Sequence, residues 1–190
     1  MYKKTLPALL LIAALPVAAD NHGQQAAMPD VAEARALVKQ FGGTLKGELV
    51  AAMKTEGPVA AIEVCNTRAP EIADSLSQDG WQVARTSLKT RNDNNAPDAW
   101  EKAVLERFEQ QKAEGRDVAT LEYSEVVDTA QGTEFRYMKA IGTEAACLTC
   151  HGSKISEPVK ARLDALYPND RARGFSEGDI RGAFTLRHSM

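Results

Sequence analysis

A Cys-x-x-Cys-His motif constrains this chain more than any other feature. Cys147 and Cys150 flank two residues, and His151 follows the second cysteine directly. This spacing is typical of c-type haem attachment, in which both thiols add across the porphyrin vinyl groups and the histidine binds the iron. A disulfide or redox dithiol would not need the histidine, and no second Cys-x-x-Cys completes four zinc ligands. The motif therefore predicts one covalent haem with His151 as proximal ligand.

The N-terminus resembles an export signal. Lys3 and Lys4 precede an apolar run over residues 6–17, and small residues end at Ala19. This order predicts a signal peptide over residues 1–19; the alternative is an uncleaved N-terminal anchor. No later stretch is long and apolar enough to span a bilayer. Because c-type haem is attached outside the bacterial cytoplasmic membrane, both patterns predict an exported, soluble, periplasmic protein without membrane insertion after cleavage.

Composition predicts one acidic domain. Residues 20–28 are polar and aperiodic, which predicts a disordered leader, and residues 29–190 have the length of a single domain. The net charge is −3, and loss of Lys3 and Lys4 makes it about −5. This sign argues against nucleic acid or an anionic membrane as partner. It leaves a redox or signalling protein as the expected partner.

Periodicity predicts several helices. A helix is expected from Pro29, because apolar residues recur every three or four positions as far as Met53. Glycines at positions 42, 43 and 47 could kink this helix or let another element pack closely. A second helix should follow Gly57 with Cys65 on its apolar side, and Pro70 should interrupt it and bias Ala69 away from helical dihedrals. Further helices are expected over residues 70–77, 97–115 and 158–166.

Four runs are typical of strands. They cover residues 81–88, 120–127, 134–141 and 180–188, and a turn-rich segment joins the middle two as a hairpin. In the last run, Ile180, Phe184, Leu186 and His188 should share one face. Too few helices separate the strands for a doubly wound sheet. The predicted class is α+β with an antiparallel sheet.

The second axial ligand has several candidates, which are Cys65, His22, His188, Met28, Met53 and Met138. Two of these, His22 and Met28, fall near the predicted leader, and Met53 belongs to the helix stripe. Cys65 is left over if the motif carries haem, and an unpaired thiol in an exported protein needs an explanation. It could be a buried core residue, or it could bind ferric iron as a thiolate and favour the ferric state.

Four stretches resemble a known family, at residues 64–73, 83–92, 147–152 and 167–184. Together they are similar to the Tll0287-like (DUF3365) family of exported c-type haem proteins. The resemblance implies a PAS-like antiparallel sheet of five strands with flanking helices and a long N-terminal helix. It also implies haem on one side of the sheet, with His151 and Cys65 as the axial ligands.

Basic residues in these stretches are candidate partners of the haem propionates. Arg85 and Arg91 are favoured, because charge-assisted hydrogen bonds to carboxylates are strong. Arg68 is a further candidate, since it lies three residues after Cys65 on a predicted helix. Arg181 and Asp179 are expected to hold the last loop instead.

Two functions agree with these observations. A PAS-like fold with saturated iron suits a redox or small-ligand sensor in which one ligand leaves on reduction. A small acidic protein with six-coordinate iron also suits a periplasmic electron carrier. A peroxidase-like enzyme would need an open iron position, which Cys65 ligation closes, so no enzyme activity is expected.

Overall fold

The computed structural model describes residues 31–190. The predicted signal peptide over residues 1–19, the leader over residues 20–28, and the ligand candidates His22 and Met28 lie outside the described residues. Within the described part, no helix is both long and apolar enough to cross a membrane.

The fold combines helices with one antiparallel sheet. Its main elements are α1 (Val31–Thr55), α2 (Pro58–Glu63), α3 (Ala69–Leu76), β1 (Trp81–Thr86), α4 (Ala99–Ala113), β2 (Glu122–Thr129), β3 (Gly132–Gly142), α5 (Leu148–His151), α6 (Glu157–Leu166) and β4 (Ile180–Ser189). The strand order is β1-β4-β3-β2, and every neighbouring pair is antiparallel. The predicted α+β class is confirmed. Residues 31–190 form a sheet of four strands, whereas the resemblance implied five.

Helices cover both faces of the sheet. On one face, α1 and α3 pack against β1, β3 and β4 around Phe41, Ile72 and Tyr137. On the other face, α4 packs its Phe108 side against Met138 and its neighbours. Tyr137 and Met138 are consecutive in β3 and both are fully buried. This inner strand is therefore covered on both faces at Tyr137 and Met138.

The first helix lies very close to the last strand. A Cβ atom on Gly42 would lie 3.3 Å from Cζ of Phe184, and the Phe41 and Phe184 ring centroids are 5.2 Å apart. The helix itself runs without interruption from Val31 to Thr55. Of the two roles expected for these glycines, Gly42 has the packing role, because any side chain there would press on the Phe184 ring.

A wide helical turn joins α2 to α3. Val64–Arg68 is a π-helix, and the Ala69 N–H bonds to the carbonyl of Val64, five residues earlier. Ala69 has φ −63° and ψ −43°, so the prediction that Pro70 breaks the helix was wrong. A proline ring normally clashes with the carbonyl four residues before it. The wider turn shifts the preceding carbonyls outward, and Pro70 then fits the first turn of α3.

A β-bulge interrupts the pairing of β3 with β4. Ile141 is paired with Gly182 and Gly142 with Ile180, which leaves Arg181 as the extra residue. The bulge reverses the alternation of side chains, so Ile180 packs in the α4 cluster. The prediction that Ile180 shares a face with Phe184 and Leu186 was therefore wrong. Bulges often redirect a side chain beside a functional site.

Candidate functional site

The Cys-x-x-Cys-His motif is fastened to the loop that precedes β4. On one side of the motif, the Phe175 N–H donates to the His151 carbonyl at 2.9 Å. On the other side, Thr143 and the 178–179 pair exchange two backbone hydrogen bonds of 2.8 Å. Asp179 also accepts from the Ser176 N–H at 2.7 Å and from Lys112 Nζ at 2.6 Å. The loop and the motif therefore form one hydrogen-bonded unit.

His151 is held in one tautomer. Its Nδ1 lies 2.8 Å from the carbonyl oxygen of Ala172, which can only accept, so Nδ1 carries the proton. Its Nε2 faces Arg91 Nη1 at 3.4 Å and Arg181 Nε at 3.5 Å. Burial and these two guanidinium groups lower the pKa of His151 to about 2. The imidazole is therefore neutral, with the Nε2 lone pair directed into the site, as in metal-binding histidines.

Arg91 ties the motif to the loop. Its side chain is 8% exposed and pairs with Asp170, which is 1% exposed, at 3.2 Å. Its Nη2 also donates to the carbonyls of Cys150 at 2.6 Å and Ala172 at 3.1 Å. Burial opposes ionisation of Asp170, but hydrogen bonds from Arg173 and Arg91 hold its pKa below the ordinary value. The charge of Arg91 is thus already balanced within the protein.

Two other arginines at the site have no carboxylate partner. Within residues 31–190, no carboxylate lies within ion-pair distance of Arg85 or Arg181. Arg181 extends from the bulge to Ser87 Oγ at 3.1 Å and the Lys89 carbonyl at 3.3 Å, and Arg85 lies over the Phe41 ring. Burial lowers the pKa of both groups, that of Arg181 to about 10. Both remain cations at neutral pH and form a site that favours an anion.

Cys65 lies on the π-helical turn and belongs to the same site. Burial raises the pKa of its thiol, while the charges of Arg85, Arg91 and Arg181 act in the opposite direction. Two of these arginines are the ones that contact His151 Nε2. The structure therefore brings Cys65 and His151 around one set of cations, although they are far apart in the sequence. Single π-helical turns are frequent at functional sites.

The two cysteines of the motif lie beside the group formed by Cys65, His151 and the arginines. Cys147 ends a 3-10 turn and Cys150 lies on α5, so the two thiols are presented by consecutive turns. Cys65, Cys147 and Cys150 are all free, half-buried thiols. In the described part of the chain, no group of three or more His, Cys, Asp or Glu side chains is arranged to hold a metal ion.

Three other candidates lie elsewhere. Arg68 is 44% exposed, and Glu48 and Glu71 hold its guanidinium at the surface, so the structure does not bring it to the site. The His188 ring makes an edge contact with the Trp81 ring, with 4.9 Å between the centroids, and His188 is seven positions after Arg181 in β4, which is about 23 Å along a strand. Met138 is buried on the α4 face.

Sequence reasoning assigned Arg181 to the loop and missed its contact with His151. Its position depends on the bulge, and the available signal was Gly182, an isolated glycine inside the strand pattern next to the extra residue. The carbonyl of Ala172 was also missed, because a backbone acceptor leaves no signature in side-chain identity.

We expect Arg91→Ala to lower the free energy of unfolding by about 3–5 kcal/mol, because it removes the buried cation paired with Asp170 and the side-chain donor to the Cys150 carbonyl. Arg173→Ala is the matched control, since Arg173 pairs with the same carboxylate from a more exposed position. It should cost about 1 kcal/mol or less. Urea unfolding of the purified proteins measures both. Equal losses of unfolding free energy in the two variants would show that Arg91 is not what holds the motif to the loop.

Comparison with known proteins agrees with the resemblance. The sequence model of the Tll0287-like family, described as Tll0287, matches residues 16–189. A solved structure, the crystal structure of the cyanobacterial heme-protein Tll0287, is 26% identical to this chain with a TM-score of 0.57. The alignment covers 83% of this chain and 95% of that one. No curated protein matches the chain. Because the family match spans most of its length, this chain belongs to the Tll0287-like family.

Proposed function

We propose that this chain is a c-type haem protein that acts as a redox or small-ligand sensor. The observation that carries the proposal is the pairing of a neutral, oriented His151 with Cys65 around one group of arginines. The related solved structure is that of a cyanobacterial heme-protein, which supports the cofactor. In this assignment His151 Nε2 and the Cys65 sulfur would hold the iron, and Cys147 and Cys150 would attach the haem through thioethers.

The donor set of the site fits a haem. Histidine and thiolate are common axial ligands, and the carboxylate-free guanidiniums of Arg85 and Arg181 match the charge of two propionates. Arg91 was also a candidate partner for a propionate. Because Asp170 already balances its charge, we assign it the role of holding the motif and His151 in place. When bound, the haem supplies one-electron chemistry at its iron.

The setting of the protein follows from the same assignment. We propose export to the periplasm after removal of residues 1–19, because thioether attachment takes place outside the cytoplasmic membrane. Residues 29–190 would then be one haem domain without enzyme activity. Its output would reach a redox or signalling protein partner.

The position of Cys65 favours a sensor over a carrier. A carrier is expected to keep both ligands, since electron transfer is fastest when little moves. Here the thiolate ligand lies on a π-helical turn, a geometry that differs from an α-helix by one hydrogen-bond step. A change of Val64–Arg68 to α-helical pairing would rotate Cys65 relative to His151. In our proposal, this turn is the element that changes conformation when the sensor responds.

The covalent attachment can be tested by Cys147→Ser combined with Cys150→Ser. Matured in a periplasm, the double variant should lose all covalent haem, because no thiol of the motif remains to form a thioether. Acid–acetone extraction of the denatured protein measures the loss. Cys65→Ser is the control and should keep its haem through extraction. Covalent haem in the double variant would contradict the attachment.

The axial ligation can be tested by low-temperature EPR of the ferric protein. We expect a low-spin signal with the narrow g-spread of imidazole–thiolate iron, and Cys65→Ser should abolish it. His188→Ala should leave it unchanged, because the His188 ring makes an edge contact with Trp81 away from the site. A wide low-spin signal that survives Cys65→Ser would exclude the thiolate, and a high-spin wild-type signal would indicate an open position.

The sensor role can be tested on the reduced protein. If Cys65 leaves on reduction, the ferrous form should bind carbon monoxide within the mixing time, with a shift of the Soret band. Voltammetry should show separated oxidation and reduction waves at high scan rates. A reversible couple with no carbon monoxide binding would support the electron carrier instead.

A further inference from the structure

The ring of Phe175 contacts the histidine of the motif. Phe175 lies on the loop before β4, and its N–H donates to the His151 carbonyl at 2.9 Å. Its ring is perpendicular to the His151 imidazole, with 6.1 Å between the two centroids. This edge-to-face arrangement is a favourable contact between aromatic rings. Phe175 therefore holds His151 through its backbone and through its side chain.

The same ring supports the arginine beside the imidazole. The guanidinium carbon of Arg181 lies over the Phe175 ring, 5.5 Å from its centroid, and Lys89 Nζ lies over it at 5.2 Å. Both distances are within the range of cation–π attraction. Because Arg181 Nε is 3.5 Å from His151 Nε2, the ring holds the imidazole and the neighbouring cation together.

Packing in the core does not account for the burial of Phe175. The residue is 7% exposed, yet it belongs to none of the three hydrophobic clusters of the described residues. It borders a cavity of about 350 Å³ instead, whose other walls include Leu88, Leu105 and Ile180. A core aromatic ring packs against many apolar side chains. The Phe175 ring contacts an imidazole and two cations, which indicates a role at the candidate site.

The two proposed ligands are held to different degrees. The Nδ1 hydrogen bond to Ala172 fixes one atom of the His151 ring, and the contact with Phe175 restrains the plane of the ring about that atom. Cys65 lies on the π-helical turn, and no group in residues 31–190 donates a hydrogen bond to its sulfur. The imidazole is thus restrained by two side-chain contacts that the thiol lacks.

We propose that the Phe175 ring sets the plane of the His151 imidazole and keeps Arg181 beside its Nε2. The inference rests on the proposed function, in which His151 and Cys65 would hold the iron. Outer contacts that orient a ligating histidine tune its bond to the metal. Phe175 is thus a positioning residue, and it makes His151 the ligand that stays when Cys65 leaves on reduction.

The first test compares Phe175→Leu with the wild-type haem-loaded protein by low-temperature EPR. Leucine removes the ring and keeps an apolar side chain, so the imidazole should adopt more than one plane. The ferric low-spin signal should then broaden or split into two. An unchanged signal would overturn the inference.

Phe135→Leu is the matched control. Phe135 is 5% exposed, and its ring lies edge-on to the Trp81 ring with 5.9 Å between the centroids, in the cluster under α1 and α3. This variant loses a similar ring contact away from His151 and should keep the wild-type signal. Equal broadening in both variants would show a general loosening of the fold and would overturn the role of Phe175.

The second test identifies the ligand that stays on the reduced iron. Nitric oxide added to the ferrous wild-type protein should give an EPR signal with splitting from a second nitrogen, that of His151. In Phe175→Leu, the fraction of the signal without this splitting should rise severalfold, because His151 is held less firmly. A wild-type signal without the second nitrogen would show that His151 leaves, and the inference would be wrong.

A second pair of variants applies if Phe175→Leu does not mature with haem. Phe175→Tyr keeps the ring, whereas Phe175→Met keeps an apolar side chain of similar length without the ring. Only Phe175→Met should broaden the ferric signal. Equal signals from the two variants would contradict a role for the ring.

The failures of the two proposals can be told apart. If Cys65→Ser abolishes the low-spin signal but Phe175→Leu changes neither the ferric nor the nitrosyl spectrum, only the role of Phe175 is wrong. If Cys65→Ser leaves the signal intact, the thiolate ligation is wrong and the proposed function fails, whatever the result with Phe175→Leu.

Discussion

The hydrogen bond from His151 Nδ1 to the Ala172 carbonyl is the contact on which the site depends. It fixes the tautomer, the ring orientation and the direction of the Nε2 lone pair. The carbonyl is itself held in place, because Arg91 donates to it and to Cys150 while pairing with Asp170. The imidazole is thus oriented by a backbone atom from a different part of the chain, and its support is buried.

The site carries more positive than negative charge. Arg85, Arg91 and Arg181 surround Cys65, whereas Asp170 is the carboxylate paired with one of them. Buried cations without partners destabilise a fold, and the cost is usually accepted where an anion binds. The two large hydrophobic clusters on the faces of the sheet supply stability away from this group. The hydrophobic packing that stabilises the sheet is therefore separate from the arginine group of the candidate site.

Local patterns predicted most of the secondary structure. Alternation located all four strands to within a few residues, and the Asp98 capping box and Gly115 delimit α4 near its predicted ends. The motif and the family stretches predicted that Cys65, Cys147, Cys150 and His151 belong to one site. The structure brings the motif close to Cys65. These features depend on neighbours in sequence, or on a spacing that chemistry requires.

Local sequence patterns gave wrong predictions at three positions. Pro70 continues a helix because the preceding turn widens, and Ile180 changes face because Arg181 bulges from the ladder. Arg68 stands at the expected helical spacing from Cys65, yet Glu48, on another helix, holds it outside. The bulge and the ion pair of Arg68 depend on partners many residues away, which no short window of sequence contains.

The distance in sequence between Cys65 and His151 has a consequence for how such a protein matures. Cys147, Cys150 and His151 are contiguous, so an attachment enzyme can recognise them in an unfolded chain that has just crossed a membrane. Cys65 reaches them only after α1, the sheet and the loop before β4 have assembled, and contacts of such long range form late. In the proposed assignment, the thioethers can form on the unfolded chain, whereas the bond between the iron and the Cys65 sulfur requires the folded protein. The absorption spectrum of the haem would then show whether the attached chain has folded.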